Sequence, residues 1–377
     1  MKVLFITKDF FPDTGGVASF IHHLADQLGR RGHAVYVLAP RKSGFEKITP
    51  EYYRIFWCPR WKRLASVPFI FYSIFLALTR RAEKVFMGHV MSTYGLGGLI
   101  LRLLFGIPYI ILTHGNDLRY SSSTKLDEKV VRCLLNNASL VLCNSQFTKE
   151  ILRKMGYCGM VEILNPGVDI EKYRPTIINS EIIKKYHLDG KKVILSVSRL
   201  VKRKGHEYVL QALPIIIEQI PNIFYLIVGK GEQENHLKMM VNNLKIAQSV
   251  MLVGYIDEKD LPILYNLCDV FVMPSYELND GKDYEGFGIV YIEANACGKP
   301  VIGGRSGGVA DAVIDGKTGL LVEPHNIDEI AGAIIRLLNN TELARRMGEN
   351  GRLRVEKELS WEILGERLAN FLRNIYK

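Results

Sequence analysis

The chain has 377 residues, of which 48% are apolar and 23% charged, and its formal net charge is +10. This length exceeds the size at which one hydrophobic core stops growing, so two domains are expected, and the composition is that of an ordinary soluble globular protein. The excess charge lies in the first half, because residues 1–170 contain 22 Lys and Arg against 12 Asp and Glu, whereas the remainder contains 27 of each. Neither half carries a nucleic-acid-binding motif, so we expect no nucleic acid partner.

The cysteines and the N-terminus indicate the compartment. Six cysteines are scattered at positions 58, 133, 143, 158, 268 and 297, without a C-x-x-C pair or a metal-site spacing, and so predict reduced thiols. Residues 3–7 have the pattern of a buried strand, and no cleavage site of small residues follows, so no signal peptide is expected. We therefore predict a cytoplasmic protein.

Strands and helices alternate through the first half, as a doubly wound sheet requires. Apolar runs predict strands at residues 3–6, 34–38, 85–87, 109–112 and 140–143, and residues 20–28 have the apolar spacing of a helix. Ser145 is the predicted N-cap of a helix that begins near Thr148.

A basic segment at about 54–84 interrupts this alternation. It surrounds an apolar run from Leu64 to Leu78, with Trp57 and Trp61 near the start of the run. Its cations are Arg54, Arg60, Lys62, Arg63, Arg80, Arg81 and Lys84. The run is about fifteen residues long, shorter than the roughly 20 that a bilayer-spanning helix needs. Two interpretations stay open: a peripheral contact with an anionic membrane, at the inner face of the cell membrane, or a core helix with a solvated basic rim.

The second half repeats the pattern. Strands are predicted at residues 193–197, 224–228, 251–253, 270–273 and 300–302, separated by helical stretches. Two such sheets predict an α/β protein of two Rossmann-like domains. Pro and Gly cluster at about 165–175, where we place the junction between domains of residues 1–170 and 171–359. Residues at about 360–377 have the apolar spacing of one more helix.

The segment E-G-F-G-I-V-Y-I-E, residues 285–293, is the most informative part of the chain. It places Glu285 and Glu293 eight positions apart at the head of a helix-like stretch, and this spacing puts both acids on roughly one helix face. A helix N-terminus after a glycine-containing loop exposes backbone N–H groups that bind anions, and carboxylates accept hydrogen bonds from sugar hydroxyls. The combination suits a phosphorylated sugar.

This E-x7-E element resembles the signature of retaining glycosyltransferases that use nucleotide-activated sugars, the family called glycosyltransferase family 4 or glycosyl transferase group 1. Five further pieces match in order along nearly the whole chain: G-G-V at 15–17, T-H-G-N-D at 113–117, N-P-G-V-D at 165–169, S-R-L with K-G at 198–205, and V-G-K-G at 228–231. The resemblance implies a GT-B fold, in which two Rossmann-like doubly wound domains face a deep cleft. The N-terminal domain, with the C-terminal helix packed on it, would bind the acceptor, and the other domain would bind the nucleotide sugar.

The resemblance also implies roles for residues of the N-terminal domain. Gly15 and Gly16 would bring backbone amides to the donor diphosphate or the acceptor, with no side chain in the way. His114 follows a strand and would form a hydrogen bond to the transferred sugar or to the reacting phosphate. The candidates for acceptor contact are Asp13, Asp117 and Arg119.

In the C-terminal domain, the resemblance assigns Arg199 and Lys204 to the diphosphate. Two fixed cations there would stabilise the negative charge that develops on the leaving nucleoside diphosphate. The alternative is a solvated basic loop that these residues form with Lys202 and Arg203.

The remaining donor contacts follow the same resemblance. Glu285 would bind hydroxyls of the transferred sugar, and Glu293 would bind those of the ribose. Further donor-binding candidates, several acting through backbone groups, are Gly229, Gly254, Tyr255, Ile256, Phe287, Gly288 and Ile289.

Residues 276–284 form a longer and more polar link before Glu285 than is common in the family. This link resembles the branch that includes phosphatidylinositol mannosyltransferases using GDP-mannose. We therefore favour transfer of mannose from GDP-mannose to a lipid-linked or cell-envelope glycan acceptor. The alternatives are a UDP-sugar (glucose, N-acetylglucosamine or galactose) with a soluble acceptor, or a non-catalytic nucleotide-sugar-binding protein.

The sequence contains no D-x-D, the usual carboxylate pair for a metal-bridged diphosphate, so neither a metal nor another cofactor is expected. The family implies retention of the anomeric configuration, and we favour front-face transfer, in which the leaving phosphate accepts the proton of the attacking hydroxyl. An epimerase or a phosphorylase would share the architecture. A dehydrogenase is disfavoured, because no G-x-G-x-x-G follows the first strand.

Overall fold

The computed structural model describes residues 1–10, 15–41, 49–58, 66–90, 95–115, 117–118, 125–178, 180–278 and 283–375. The chain forms two compact units. Unit 1 comprises Met1–Pro166 and Trp361–Lys377, and unit 2 comprises Gly167–Ser360. Each unit is built on one parallel sheet with helices around it. This architecture confirms the predicted α/β fold class of two Rossmann-like domains.

Unit 1 has a seven-stranded sheet. Its strands are β1 (Lys2–Ile6), β2 (Ala34–Pro40), β3 (Arg54–Cys58), β4 (Lys84–Met87), β5 (Tyr109–Thr113), β6 (Leu140–Cys143) and β7 (Val161–Ile163). Its helices before the chain leaves the unit include α1 (Gly16–Arg30), α2 (Ser66–Thr79), α3 (Leu96–Phe105), α4 (Lys125–Asn137) and α5 (Gln146–Lys154). The strand order is β3-β2-β1-β4-β5-β6-β7.

Unit 2 has a six-stranded sheet. Its strands are β8 (Lys192–Val197), β9 (Ile223–Val228), β10 (Val250–Gly254), β11 (Val270–Met273), β12 (Val301–Gly304) and β13 (Gly319–Val322). Its helices include α6 (Ser180–Lys185), α7 (His206–Gln219), α8 (Glu234–Asn243), α9 (Leu261–Leu267), α10 (Ile289–Ala296), α11 (Val309–Ala312), α12 (Ile327–Asn339) and α13 (Thr341–Arg354). The strand order is β10-β9-β8-β11-β12-β13.

The predicted strands are all present, and the buried runs explain why. Strands β5 and β9 are buried at every position, as expected where helices cover both faces of a parallel sheet. The predicted N-cap is confirmed, because the Ser145 hydroxyl accepts a hydrogen bond from the Thr148 amide, although the helix begins at Gln146. Three strands were not predicted: β3, β7 and β13.

The last helix, α14 (Trp361–Asn374), belongs to unit 1 and packs on α1. The Trp361 ring stacks on His23 with ring centroids 4.5 Å apart. The helices approach closely at Gly365, where a Cβ atom would lie 2.5 Å from Cβ of Gln27. Arg367 ties the helix to the sheet by donating a hydrogen bond to the carbonyl oxygen of Ile163 in β7.

In both sheets the strand order reverses at one point. Strands β1 and β4 meet at this point in unit 1, and β8 and β11 meet there in unit 2. In doubly wound folds, ligands bind beyond the carboxyl ends of the strands at such a point. The loops that follow these four strands are therefore where we expect a ligand-binding site in each unit.

Candidate functional site

In unit 2, the loops after β8 and β11 meet in a cluster of four charged side chains, which we call the carboxylate–cation cluster: Arg203, Lys204, Asp283 and Glu285. Arg203 donates from Nη1 to Oε2 of Glu285 at 2.8 Å, and its Nε lies 3.1 Å from Oδ1 of Asp283. The Lys204 ammonium donates to the same Glu285 oxygen. The Glu285 side chain is only 13% exposed.

The charges inside this cluster determine the protonation state of Glu285. Burial by itself would raise the pKa of Glu285, but Lys204 and Arg203 outweigh it and lower the pKa to about 2. Burial likewise lowers the pKa of Lys204, against the attraction of Glu285. The carboxylate is therefore ionised near neutral pH and shares one oxygen between two cations.

The local backbone explains why these two cations are buried. Residues Lys202–Lys204 form a single 3-10 turn, and Gly205 closes it with a positive φ of 74°. A Cβ atom on Gly205 would lie 2.2 Å from the Pro274 carbonyl oxygen, so only glycine fits. The interpretation of Arg203 as part of a solvated basic loop is wrong, because this turn directs it to Glu285 and leaves it 8% exposed.

Arg199 lies at the same edge of the sheet but differs from its neighbours. Its side chain is exposed, and it makes no ion pair within the described part of the chain. Its positive charge also contributes to lowering the pKa of Lys204, although burial is the larger cause. Arg199 therefore presents a positive charge to solvent beside the buried cluster.

A buried hydrogen-bonded chain supports the segment that carries Arg199. The Ser198 hydroxyl lies 2.8 Å from Nε2 of His206, and Nδ1 of His206 lies 3.1 Å from the Tyr225 hydroxyl. Burial lowers the pKa of His206 to about 3, so its ring is neutral. The motif positions did not indicate His206.

The predicted glycines at the ends of β9 and β10 line the same edge. Gly229 has a φ of 134°, and a Cβ atom there would lie 1.8 Å from the Ser198 carbonyl oxygen. Its amide donates to the Gly254 carbonyl oxygen at 2.8 Å, which joins the two loops. Tyr255 is 57% exposed beside them, and Ile256 is partly exposed. The structure thus brings Arg199, Gly229 and Gly254 to adjacent strand ends.

Helix α10 begins where the carboxylate–cation cluster ends. Its N-cap is Gly288, with a φ of 92° and no side-chain capping bond. A Cβ atom on Gly288 would lie 2.5 Å from the Tyr291 ring. The amides of Ile289 and Val290 precede the first hydrogen bond of the helix, which the Tyr291 amide donates to the Gly288 carbonyl oxygen at 3.1 Å, and Gly288 itself lies beside Glu285, whereas the Phe287 side chain is buried. Such a helix end attracts an anion.

Glu293 lies midway along α10 and is partly exposed. The hydroxyl of Tyr265 donates to its Oε2 at 2.6 Å. Burial raises the pKa of Glu293 to about 7, although the Tyr265 hydrogen bond acts in the opposite direction. The two acids of the E-x7-E element thus have opposite pKa shifts, because the cations beside Glu285 outweigh the effect of burial, whereas the Tyr265 hydrogen bond offsets burial at Glu293 only in part.

In unit 1, His114 follows β5 and lies beside the loop after β4. Its Nε2 is 3.0 Å from the Gly88 carbonyl oxygen, which can only accept, so Nε2 carries the proton. Burial lowers the pKa of His114, and the ring is therefore neutral, with Nδ1 left as an acceptor.

Asp117 holds the His114 loop in place. Its Oδ1 accepts hydrogen bonds from the His114 amide at 2.9 Å and the Thr113 hydroxyl at 2.9 Å, and Oδ2 accepts from the Val90 amide at 3.0 Å. Both oxygens are therefore already bound to protein groups. The other two acceptor candidates, Asp13 and Arg119, lie outside the described residues.

The remaining unit 1 positions surround the start of α1. Gly15 is the N-cap of this helix, without a side-chain capping bond, and Gly16 is its first residue. Among the described residues, nothing lies within 4 Å of a Cβ atom placed on Gly15. The motif search missed a nearby pair, in which His89 Nε2 lies 3.4 Å from Oδ2 of Asp9 and the His89 ring centroid is 5.4 Å from that of His114. These residues follow β4 and β1, a placement that only the sheet order reveals.

Comparison with known proteins agrees with this fold. The family profile for glycosyl transferases group 1 matches residues 179–354, and the profile for glycosyltransferase family 4 matches residues 14–172. The chain belongs to this family and is a glycosyltransferase with the GT-B fold.

Among curated proteins, the chain is similar to the GDP-mannose-dependent alpha-(1-6)-phosphatidylinositol monomannoside mannosyltransferase of Mycobacterium tuberculosis. The two are 32% identical over 387 residues, which cover 99% of this chain and 98% of that protein. The protein of the same name from Mycolicibacterium smegmatis is 33% identical over 377 residues, covering 98% of each chain. Among solved structures, HepE from Anabaena in complex with UDP has a TM-score of 0.84 at 21% identity, covering 99% of this chain and 100% of that chain.

Proposed function

We propose that this protein is a retaining, metal-independent mannosyltransferase that moves mannose from GDP-mannose to a lipid-linked or cell-envelope glycan acceptor. The observation that carries the proposal is the carboxylate–cation cluster at the switch point of unit 2, with the exposed Arg199 beside it. The relatives that act on phosphatidylinositol monomannoside support the choice of donor and the class of acceptor.

The donor would be held as follows. Arg199 and Lys204, together with the first amides of α10, bind the diphosphate and stabilise the negative charge that grows on it as the glycosidic bond breaks. These positive groups supply the stabilisation that a divalent ion provides in other transferases. Glu285, with a pKa of about 2, stays ionised and accepts hydrogen bonds from hydroxyls of the mannose. Glu293 accepts hydrogen bonds from the ribose hydroxyls.

Front-face transfer fits the protonation states of these groups. Neither the ionised, cation-paired Glu285 nor the neutral His114 is a strong base, so the departing phosphate oxygen is the group that takes the proton of the attacking hydroxyl. The new glycosidic bond forms on the face that the phosphate leaves, and the configuration is retained. His114 Nδ1 orients a hydroxyl of the mannose.

We expect the purified protein to hydrolyse or transfer from GDP-mannose in preference to the UDP-sugars, and to do so in the presence of a chelator. The test is turnover with each donor, with and without EDTA, in the presence of a phosphatidylinositol mannoside acceptor. Loss of activity in EDTA that magnesium restores would refute metal independence. Proton NMR of the product decides the stereochemistry, because a β-mannoside would exclude retention.

The surface of unit 1 supports a membrane-borne acceptor. On α2, Val67, Phe71, Phe75 and Leu78 follow a helical spacing and are exposed, Phe71 to 69% and Phe75 to 61%. Helix α3 packs on α2, with Gly97 against Ser73, and adds the exposed residues Leu103, Leu104 and Phe105. We call these seven exposed residues the apolar patch. Arg80 and Arg81 directly follow α2, so positive charge borders it.

This apolar patch changes the interpretation of the basic segment at about 54–84. Arg54 and Trp57 do not belong to an amphipathic helix, because Arg54–Cys58 is the strand β3, and the Trp57 ring packs near Phe10 in the core of the unit. Trp61 lies outside the described residues. None of the described helices is long and apolar enough to cross a bilayer. The proposed contact is therefore peripheral and made by α2 and α3.

Replacing both Phe71 and Phe75 with Ser is expected to weaken binding to anionic phospholipid vesicles at least about tenfold, because each ring would otherwise leave water on binding. Vesicle sedimentation measures the effect. The matched control is Ile177→Ser, which removes an apolar side chain that is 98% exposed but belongs to unit 2. Equal vesicle binding by the double variant and the control would discard the membrane contact.

A further inference from the structure

The N-P-G-V-D motif at residues 165–169 builds a turn whose role the donor contacts above do not explain. Oδ1 of Asp169 accepts hydrogen bonds from the amides of Glu171 and Lys172, both at 3.0 Å. The Asp169 carbonyl oxygen accepts a third from the Tyr173 amide at 2.9 Å. These bonds close one tight turn, and they fix where the Tyr173 side chain leaves the backbone.

A single arginine fastens this turn to the helix that carries Glu293. Nη1 of Arg352, on α13, donates to the carbonyl oxygens of Ile170 at 3.1 Å, Tyr173 at 2.8 Å and Ala296 at 2.9 Å. Ala296 is the last residue of α10, less than one turn beyond Glu293. The guanidinium therefore sets the distance between the Tyr173 turn and the ribose-side acid.

The Tyr173 side chain points back to that acid. Its ring is 3% exposed and packs edge-on against Tyr265 with ring centroids 5.7 Å apart. Of the two carboxylates that act on its hydroxyl, Glu293 acts more strongly than Glu258. The Tyr173 hydroxyl is buried and makes no hydrogen bond to any described residue. A buried hydroxyl without a partner is costly, so a site of this kind calls for an explanation.

We propose that Tyr173 and Arg352 are positioning residues for Glu293, which hold its carboxylate in the orientation and charge state that bind the ribose hydroxyls of the donor. This inference rests on the proposed function, because it takes Glu293 to be the ribose-binding acid. Tyr265 donates to Oε2 of Glu293, and the Tyr173 ring packs edge-on against Tyr265, so the turn that carries Tyr173 supports the hydroxyl that binds the carboxylate. The N-P-G-V-D motif thereby acts on the donor site without touching the donor.

The charges around Glu293 make this role measurable. Burial raises the pKa of Glu293 to about 7, the Tyr265 hydroxyl lowers it, Glu258 raises it, and Lys172 and the Tyr173 hydroxyl lower it. Lys172 and Glu258 form an ion pair at 2.7 Å, so their effects on Glu293 oppose each other. Burial raises the pKa of Tyr173, so its hydroxyl stays protonated across the pH range of the test.

The sign of the pH effect follows from these groups. The ionised carboxylate accepts two hydrogen bonds from a ribose diol, whereas the protonated acid has less acceptor capacity. Affinity for a nucleoside diphosphate should therefore increase as the pH rises through about 7. Removing a hydroxyl that favours the ionised form raises the pKa of Glu293, so the midpoint of this increase should move to higher pH.

The experiment measures GDP affinity by calorimetry between about pH 5 and about pH 9 for the wild type and two variants, Tyr173→Phe and Arg352→Met. We expect both variants to bind GDP about tenfold more weakly at pH 7 and to recover much of that loss at the alkaline end. The matched controls are Tyr186→Phe, which removes a hydroxyl elsewhere in unit 2, and Arg354→Met. Arg354 is on the same helix but bonds the carbonyl oxygens of Asp311 and Ala312.

The outcomes separate the two proposals. If the wild type binds GDP and its midpoint is the same in Tyr173→Phe, Arg352→Met and both controls, the positioning role is overturned and the proposed function stands. If the wild type binds neither GDP nor UDP at any pH, both are overturned. Should Arg352→Met fail to fold, the isosteric Tyr173→Phe and the charge-conserving Arg352→Lys decide the question, since neither removes packing volume on a large scale.

Discussion

Replacing Glu285 with Gln is expected to abolish sugar transfer and to lower the free energy of unfolding by about 3–5 kcal/mol, because it removes the charge that balances the buried Lys204 and leaves the buried Arg203 paired with Asp283 alone. Arg203 and Lys204 both donate to Oε2 of Glu285, and their side chains are only 9% and 10% exposed. An amide oxygen still accepts hydrogen bonds but carries no charge to balance them. Thermal or urea unfolding measures the stability, and GDP-mannose turnover measures the chemistry.

The stability loss should depend on pH in a defined direction. The pKa of Glu285 is about 2 in the folded protein, below its ordinary value of about 4.5, so the ionised carboxylate favours the folded state. This stabilisation is fully present above about pH 4.5 and is lost as the pH falls toward about 2. The difference in unfolding free energy between the wild type and Glu285→Gln should therefore shrink on acidification.

Two further variants separate the charge from the catalytic role of Glu285. Glu349→Gln is the control, because that carboxylate pairs with Arg345 at the surface and is 61% exposed. Combining Glu285→Gln with Lys204→Met removes the cation that lost its carboxylate and should recover part of the stability, but no activity, since Lys204 is itself assigned to the diphosphate. Full stability in the single Glu285→Gln variant would contradict the carboxylate–cation cluster as described.

The second large effect is expected for Arg199→Ala, which should reduce kcat by about 100-fold to 1,000-fold while leaving the unfolding free energy within about 0.5 kcal/mol of the wild type. The side chain is exposed and unpaired within the described part of the chain, so its loss leaves no buried charge. Its positive charge is available to a diphosphate, whereas Lys204 is already shared with Glu285. The effect should be greatest on the step that breaks the glycosidic bond.

A panel of thermal shifts with GDP, UDP and ADP tests Arg199 without an acceptor, because a ligand that binds only the folded state raises Tm. The wild type should respond most to GDP, and Arg199→Ala should respond little to any of the three. Arg346→Ala on α13, another exposed arginine, is the control and should behave as the wild type. An unchanged GDP shift in Arg199→Ala would show that the diphosphate is bound elsewhere.

Most of the fold could be predicted from the sequence, for reasons visible in particular strands. Runs such as Y-I-I-L-T in β5 and I-F-Y-L-I-V in β9 are apolar throughout, because helices cover both faces of a parallel sheet. Strands β3, β7 and β13 were not predicted. For β3 and β7 the reasons differ. Strand β7 has three residues and an exposed glutamate, and β3 sits at the sheet edge inside a basic segment whose charges resemble a helix rim.

The sequence predicted those residues of the candidate site for which a motif specifies both the residue type and the backbone conformation. Glycines such as Gly229 and Gly288 occupy positive-φ positions where a side chain would collide, so their place in the chain indicates the loops. Arg203 could not be distinguished from Lys202 in the sequence, since a short 3-10 turn decides which cation is buried. Asp283, Tyr173 and Arg352 carry no motif, and their roles depend on partners far away in the chain.

The sequence by itself determined the α/β class, the two sheets, the family and the identity of the main charged and glycine positions. These depend on periodicity and on spacings of a few residues, which local backbone geometry imposes. Tertiary structure alone decided that Arg203 and Lys204 share one oxygen of Glu285, that Asp9 and His89 lie beside His114, and that Arg352 ties the Tyr173 turn to α10. Each of those contacts joins residues far apart in the chain, where strand order and burial, and not sequence spacing, set both the distance between the side chains and their pKa values.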